Sequence, residues 1–164
     1  SLATPPAVKR VNVSSAEDML KAVQAEMRDT DIFIAAAAVA DYRIVHQAAN
    51  KIKKSDDELT LTFVKNPDIL KTVAALSPAP FTVGFAAESQ NVEEYARGKL
   101  EKKNLDMIAA NDITVEGLGF NSDKNALHVI WQDGDKKLPP APKTTLAEQL
   151  IGLITKQYNN KQSK

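Results

Sequence analysis

Lysine side chains recur at three places where a polyphosphate could use them. The run KIKK occupies 51–54, Lys65 lies further on, and Lys99 and Lys103 have the four-residue spacing of one helical face. Ammonium groups on flexible stems suit a polyphosphate, and a mobile loop that carries them could close over a nucleotide. A solvated basic loop and a solvated helix end are the structural alternatives, and spacing alone does not decide between these interpretations.

A second group of candidates lies next to predicted strand and helix ends. Asp41 follows an apolar run, and an acid there could bind a ribose hydroxyl or a metal. A turn aspartate that bonds its own backbone is the alternative. The segment VKNP at 64–67 leads into a helix N-terminus, where free N–H groups and the helix dipole favour an anion. Helix capping alone is the competing explanation for that segment.

These candidates need strands and helices to bring them together. The run DIFIAAAAV at 31–39 lacks polar alternation and predicts a strand covered on both faces, with a buried helix as the alternative. Further strands are predicted at 8–13, 59–64, 81–86 and 105–110. Helices are predicted at 15–28, 66–76, 91–103 and from 145 to a frayed tail after 159. Ser14 or Ser15 is predicted to cap the first helix, with Asp18 completing a capping box, and a second box is predicted at Asn91 with Glu94.

Strands that alternate with helices predict a Rossmann-like, three-layer α/β fold. The sheet is expected to be mixed and mainly parallel, with helices on both faces. Asp133-Gly134 between two short runs predicts a late antiparallel hairpin, and the prolines at 139–142 are expected to break the chain after it. Ligands of such sheets bind beyond the carboxyl ends of the strands. We therefore expect an anionic ligand, preferably a nucleotide, at that edge.

The composition excludes several function classes. Lys plus Arg and Asp plus Glu number 21 each, so the chain lacks the basic surplus of a general nucleic-acid-binding protein. The absence of cysteine excludes disulfides, Cys-ligated zinc and thiolate catalysis. We expect a cytoplasmic protein, because no signal peptide begins the chain and no apolar run reaches about 18 residues. All six glycines fall at or after Gly84, so the first half holds no Gly-rich phosphate loop.

Six strings in order carry a resemblance to a known family. They are AAVADYR at 37–43, KIKK at 51–54, VKNPDIL at 64–70, GFAAES at 84–89, NVEEYARGKLEKKNLDMIAAND at 91–112 and GFNSDKNALHVIWQDGD at 119–135. With them the chain closely resembles bacterial phosphopantothenoylcysteine synthetase over essentially its whole length. That enzyme is usually the C-terminal half of a bifunctional coenzyme A biosynthesis protein. The N-terminal half is a flavin-dependent decarboxylase.

The resemblance implies a CTP-dependent ligase reaction that requires magnesium. The carboxylate of 4′-phosphopantothenate attacks the α-phosphate of CTP, which gives an acyl-cytidylate and pyrophosphate. The amine of L-cysteine then attacks the activated carbonyl, and CMP leaves. Because the nucleotide supplies the leaving group, the protein chiefly orients the reactants and neutralises phosphate charge.

The resemblance also implies the site residues. Lys51 matches the family's lysine on a mobile flap and is the catalytic candidate, since that lysine is implicated in the second step. No metal ligands are implied. The residues that match nucleotide contacts of the family are Ala35, Ala36, Ala37, Asp41, Lys51, Val64, Lys65, Asn66, Pro67, Phe85, Lys99 and Lys103.

The family extends beyond this chain and assembles into homodimers. Upstream of the position of Ser1 it has a strand, a Gly-rich turn and a helix, with an asparagine implicated in stabilising the acyl-cytidylate. We therefore expect residues 1–164 to form a single synthetase domain that lacks these parts, binds CTP weakly and turns over little alone. The resemblance implies a homodimer formed partly through the arm between Asp41 and Phe63. It also implies that FMN would belong only to a fused decarboxylase outside this chain.

Two other functions remain open on the residues alone. A Rossmann-type oxidoreductase that binds a nicotinamide or a flavin fits the fold class, although no G-x-G-x-x-G follows a predicted strand. A non-catalytic nucleotide-binding or dimerisation module fits a chain that lacks catalytic parts. Selective stabilisation by CTP over ATP and NADPH would favour the ligase.

Overall fold

A computed structural model describes residues 3–46, 50, 59–115, 117–119 and 122–163. The chain forms two compact units, which are Ser1–Arg28 with Ala38–Ile69, and Asp29–Ala37 with Leu70–Lys164. The expectation of one synthetase domain without an upstream part stays a prediction. In chain order the elements are α1 (Ala16–Glu26), β1 (Ile32–Ala35), β2 (Tyr42–Ile44), β3 (Phe63–Lys65), α2 (Ile69–Ala74), β4 (Phe81–Glu88), α3 (Val92–Lys103), β5 (Met107–Asp112), β6 (Lys124–Trp131), β7 (Gly134–Pro142) and α4 (Lys143–Gln162).

The second unit is built on a five-stranded mixed sheet in the order β1-β4-β5-β6-β7. β1, β4 and β5 run parallel, and β6 and β7 continue the sheet antiparallel. This confirms the predicted α/β fold class with its late hairpin. The run at 31–39 is a strand over Ile32–Ala35 only, so the buried-helix alternative is wrong.

Alternate strand residues face two separate hydrophobic clusters. Met107 and Ala109 of β5 belong to the cluster that includes the buried residues of α4, and Ile108 and Ala110 belong to the cluster that includes those of α3. Because successive side chains of a strand point to opposite faces, a strand between two helical layers must be apolar throughout. Helices therefore cover both faces of this sheet, as predicted.

The N-cap residues of α1 and α3 lie where the sequence predicts them, but the predicted capping hydrogen bond forms only in α1. Ser15 is the N-cap of α1, and its side-chain oxygen accepts from the backbone N–H of Asp18 at 3.1 Å, as predicted. Asn91 is the N-cap of α3 but adopts a left-handed backbone with φ 43° and makes no side-chain cap bond, so the second capping box is wrong. In that conformation the Asn91 side chain is not placed over the first helical N–H groups, and the box cannot close.

The C-terminal region departs from the predictions in two ways. β7 runs through the prolines up to Pro142 instead of breaking there, because it is the last strand of the sheet and its missing N–H donors need no further partner. The end of α4 is ordered through Gln162 rather than frayed after Asn159. There Nζ of Lys161 lies 2.6 Å from Oδ1 of Asp106 and 5.8 Å from the ring centre of Phe81.

The first unit contains α1 and a two-stranded antiparallel ribbon. β2 and β3 pair Tyr42 with Lys65 and Ile44 with Phe63. The predicted strand at 59–64 is therefore shorter and shifted towards its C-terminal end. The predicted strand at 8–13 is wrong, since these residues are exposed and join neither described sheet. A β-branched run becomes a strand only where a neighbour satisfies its backbone groups.

Candidate nucleotide-binding site

The carboxyl ends of β1, β4 and β5 form one edge of the sheet in the second unit. β1 ends at Ala35, opposite Gly84, whereas β4 continues to Glu88. The sheet edge therefore has a step, and the exposed residues Ala36 and Ala37 follow the end of β1. Phe85 is the first β4 residue beyond the step and is 37% exposed. An exposed ring and small side chains at a strand end leave room for a flat ligand to pack.

Lys99 joins this edge through an ion pair. Its Nζ lies 2.7 Å from Oε1 of Glu88, the last residue of β4. Lys103 lies on the same helix, in its last turn. The two lysines predicted as phosphate ligands thus share α3, and the structure brings the ammonium of Lys99 to the end of a parallel strand.

The end of β5 contributes amide and carboxylate groups beside β4. Asn111 pairs with Ala87, and Asp112 pairs with Glu88. The carboxylate of Asp112 accepts from the hydroxyl of Thr114 at 2.6 Å and from its N–H at 2.8 Å. These hydrogen bonds, the hydroxyl's first, hold the pKa of Asp112 below its usual value. Asp112 is therefore an anion at neutral pH.

In the first unit, Arg43 organises the loop that follows β3. Its guanidinium lies 2.6 Å from Oε1 of Glu17 on α1 and donates to the carbonyl oxygen of Lys65 at 2.9 Å. A longer bond of 3.4 Å reaches Oδ1 of Asn66. The planar guanidinium can serve several acceptors at once, so Arg43 holds the helix and the loop together.

Asn66 completes this clamp. Its side-chain amide donates to the carbonyl oxygen of Ala40 at 2.8 Å, and its backbone N–H donates to that of Asp41 at 2.8 Å. Within this unit the structure therefore brings together Asp41, Lys65 and Asn66 of the predicted site. Val64 and Pro67 flank them, and an open groove is lined by Glu17, Lys21, Arg43, Lys65, Asn66 and Pro67.

Sequence spacing does not identify Arg43 and Glu88, which position the loop after β3 and the Lys99 side chain. Arg43 lies two residues after Asp41 in the sequence, but its partners in the structure are Glu17 on α1 and the carbonyl oxygen of Lys65. Glu88 lies within the string GFAAES, where spacing alone does not distinguish a site residue from a turn residue. One signal could have predicted the role of Glu88. It ends an apolar strand and lies eleven residues before Lys99 on the next helix.

The catalytic candidate Lys51 lies outside the described residues, as do Lys53 and Lys54. In the part of the chain that the structure does describe, no group of three or more His, Asp or Glu side chains is placed to hold a metal ion. Likewise, none of the helices in the described ranges is long and apolar enough to span a membrane.

Comparison with known proteins identifies the family. Residues 1–158 match the DNA/pantothenate metabolism flavoprotein C-terminal domain. The chain belongs to this family. Among curated relatives of this domain, the coenzyme A biosynthesis bifunctional protein CoaBC of Escherichia coli (strain K12) is 54% identical over 165 residues, which cover 98% of this chain and 41% of that protein. CoaBC of Bacillus subtilis (strain 168) is 40% identical over 142 residues, or 86% of this chain and 35% of that protein.

Solved structures agree with this domain assignment. The crystal structure of the C-terminal domain of CoaBC superposes with a TM-score of 0.79 at 34% identity, covering 98% of this chain and 71% of that one. The DNA/pantothenate metabolism flavoprotein from Streptococcus pneumoniae has a TM-score of 0.77 at 22% identity, which shows the shared fold. The chain spans less than half the length of the curated bifunctional relatives it matches.

Proposed function

We propose that this flavoprotein C-terminal domain is the phosphopantothenate–cysteine ligase part of a coenzyme A biosynthesis protein and that it uses CTP in the cytoplasm. The observation that carries the proposal is the 54% identity to CoaBC over 98% of the chain. The reaction joins 4′-phosphopantothenate to L-cysteine through an acyl-cytidylate. It releases pyrophosphate in the first step and CMP in the second.

The described residues of the second unit support the nucleotide half of this reaction. The stepped strand end leaves Phe85 exposed beside the short side chains of Ala36 and Ala37. Lys99 brings a cation to the end of β4. Charge spread over phosphate oxygens in the transition state is stabilised by donors that are already in place before the reaction starts. No side chain has to act as a nucleophile, because the substrate carboxylate attacks the α-phosphate itself.

The first unit supports the proposal through the loop at 64–67. Arg43 and Asn66 fix this loop by side-chain hydrogen bonds to backbone oxygens. A fixed backbone can offer its remaining polar groups to a ligand without a further entropy loss. We propose that the twelve residues named above contact the nucleotide and that Lys51 is the catalytic residue.

The proposed reaction uses magnesium that binds together with the nucleotide. The described residues offer no cluster of three metal ligands, and magnesium commonly binds through one or two carboxylates and substrate phosphates. When bound, it would neutralise phosphate charge. We assign it no ligand in this chain, and FMN belongs only to a fused decarboxylase.

The proposed assembly is a homodimer formed partly by the β2–β3 ribbon. Exposed apolar side chains on this ribbon are Tyr42, Ile44, Phe63 and Val64. A two-stranded ribbon is marginally stable alone, so a partner surface would stabilise it. The names of the bifunctional relatives support fusion to a second enzyme, for which the decarboxylase is the proposed candidate.

Two measurements test the ligase. In the first, thermal unfolding of the chain is followed with CTP, ATP, NADPH or FMN, and selective stabilisation by CTP is expected. Selective stabilisation by NADPH or FMN would instead favour the oxidoreductase, and an equal response to every polyphosphate would indicate simple charge attraction.

In the second measurement, this chain replaces the matching region of Escherichia coli CoaBC. Pyrophosphate release from CTP with 4′-phosphopantothenate, and CMP release after addition of L-cysteine, are then recorded. The combined change Lys51→Gln, Lys99→Gln and Lys103→Gln is expected to reduce turnover at least about 100-fold, because three phosphate-facing cations are lost. Unchanged formation of both products would contradict the proposal. Binding of CTP without turnover in the unmodified chimera would favour the non-catalytic module.

A further inference from the structure

Glu88 ends β4 at the sheet edge with a carboxylate that is almost shielded from water. Its side chain is only 11% exposed, and its Oε1 lies 2.7 Å from Nζ of Lys99. Its backbone is held as well, since the carbonyl oxygen accepts from the N–H of Ile113 at 3.0 Å and the residue pairs with Asp112 of β5. The sheet therefore fixes the backbone that carries the carboxylate.

A carboxylate with so little access to water needs a cation, and Lys99 supplies it. Removal of an ionised group from water is costly unless a partner of opposite charge compensates. The Lys99 side chain is 47% exposed, and an ammonium group has three N–H donors. One donor directed at Glu88 leaves two for other acceptors on the solvent side.

We propose that Glu88 is a positioning residue that holds the Lys99 ammonium at the end of β4, where it donates to a phosphate oxygen of CTP. This inference rests on the proposed function, but Glu88 lies outside the predicted set of nucleotide contacts. A lysine held in place before binding loses less rotamer freedom when the ligand arrives.

Charge repulsion alone predicts that removal of the Glu88 carboxylate strengthens CTP binding, whereas the positioning role predicts that it weakens CTP binding. Near a triphosphate, a carboxylate repels the ligand, so its removal should strengthen binding if the local charge balance alone mattered. Positioning predicts weaker binding although the domain becomes less negative. The sign of the change in CTP affinity therefore separates the two roles.

The first experiment compares two carboxylate-to-amide changes by calorimetric titration of the full chain with CTP. Glu88→Gln is expected to weaken CTP binding about 3- to 10-fold. The matched control is Glu93→Gln, which makes the same charge change on α3. Glu93 is 52% exposed and pairs with Arg97 at 3.0 Å, so this change is expected to leave CTP affinity within about 2-fold. In a Lys99→Gln background, Glu88→Gln should have no further effect. Unchanged or tighter CTP binding by Glu88→Gln in the wild-type background would overturn the proposal.

The second experiment needs no ligand. Thermal unfolding is measured for Glu88→Gln, Lys99→Gln and the double variant. Lys99→Gln alone is expected to lower Tm by about 3 °C or more, because it leaves a shielded carboxylate unpaired, and Glu88→Gln in the same chain should restore part of that loss. Strictly additive shifts would overturn the positioning role. If the wild-type chain shows no response to CTP, the proposed function fails, and this cycle alone decides whether Glu88 holds Lys99.

Discussion

Individual side chains in this domain are held by partners that are distant in sequence. Asp106 accepts from the backbone N–H of Thr82 at 2.8 Å through one oxygen and from Lys161 at 2.6 Å through the other. His128 lies 2.8 Å from Asp135 across the β6–β7 hairpin. The first set joins β4 to α4 over a long sequence separation, and the second joins the two strands of a hairpin. Local spacing rules do not predict either set.

A Cβ at Gly84 would crowd the ends of two leucine side chains. A Cβ at this position would lie 2.8 Å from Cδ2 of Leu70 and 3.0 Å from Cδ1 of Leu105. Gly84→Ala should therefore cost about 1–3 kcal/mol of unfolding free energy through overpacking. The control Gly98→Ala lies on α3 with nothing within 4 Å and should stabilise by about 0.5–1 kcal/mol. Urea denaturation measures both, and a stabilising Gly84→Ala would contradict the close packing.

Asp135 links stability to pH. The hydrogen bond from His128 is the largest cause that holds the pKa of Asp135 below its usual value, and the charges of His128, Arg97 and Lys137 add to it. A lowered native pKa stabilises the fold above the unfolded pKa of about 3.9 and loses this contribution as pH falls through the native pKa. Asp135→Asn should therefore flatten the pH dependence of stability below about pH 4.

The matching change on the other side of this pair is His128→Gln. It should remove much of the same pH dependence, and the double variant should show little further loss. Urea denaturation between neutral pH and about pH 2 measures the slopes. Independent, additive effects of the two changes would contradict the pairing.

At the scale of elements, the β2–β3 ribbon depends on groups outside its own ladder. In the part of the chain that the structure describes, its ladder pairs three residues of each strand, Tyr42–Ile44 with Phe63–Lys65. Two-stranded sheets of this size are marginal without packing or side-chain clamps. The guanidinium of Arg43 and the amide of Asn66 supply such clamps.

Arg43→Ala should loosen the ribbon more than the rest of the domain. Loss of its bonds to Glu17 and to the carbonyl of Lys65 leaves the ribbon closer to local unfolding. We expect hydrogen exchange at the N–H groups of Val45 and Asn66 to accelerate about 5-fold or more, with little change in β5. The milder control Glu17→Gln removes only the ion pair and should give a smaller increase. Equal acceleration in the ribbon and in β5 would indicate global destabilisation instead of a local clamp.

At the scale of the whole molecule, the exposed apolar surface of the ribbon bears on assembly. Phe63 is 54% exposed and Tyr42 53%, and exposed aromatic side chains that are grouped on one element are typical of contact surfaces. Phe63→Glu should therefore convert the proposed dimer into a monomer, as measured by light scattering at micromolar protein concentration. Ile151→Glu on α4, where Ile151 is 51% exposed, is the matched control and should leave the mass unchanged. A monomeric wild-type chain would contradict the dimer.

Local sequence patterns are sufficient to predict the fold class and most element positions. Periodic apolar residues, helix boundaries and the hairpin turn are local signals. Each of them depends on residues that lie close together in the sequence. These signals located β1, β4, β5, the β6–β7 hairpin and the four α-helices in the described ranges. The nucleotide site was predicted by resemblance together with the rule for strand ends, and the residue roles remain proposals.

Tertiary contacts determine which of these local tendencies are realised. The run at 8–13 stays irregular because no strand in the described part of the chain pairs with it, and the prolines of β7 are accommodated because the strand lies at a sheet edge. The roles of Arg43 and Glu88 likewise depend on partners that folding brings close. Strand pairing and ion pairing are long-range interactions, so their energies depend on distances that a linear sequence does not contain.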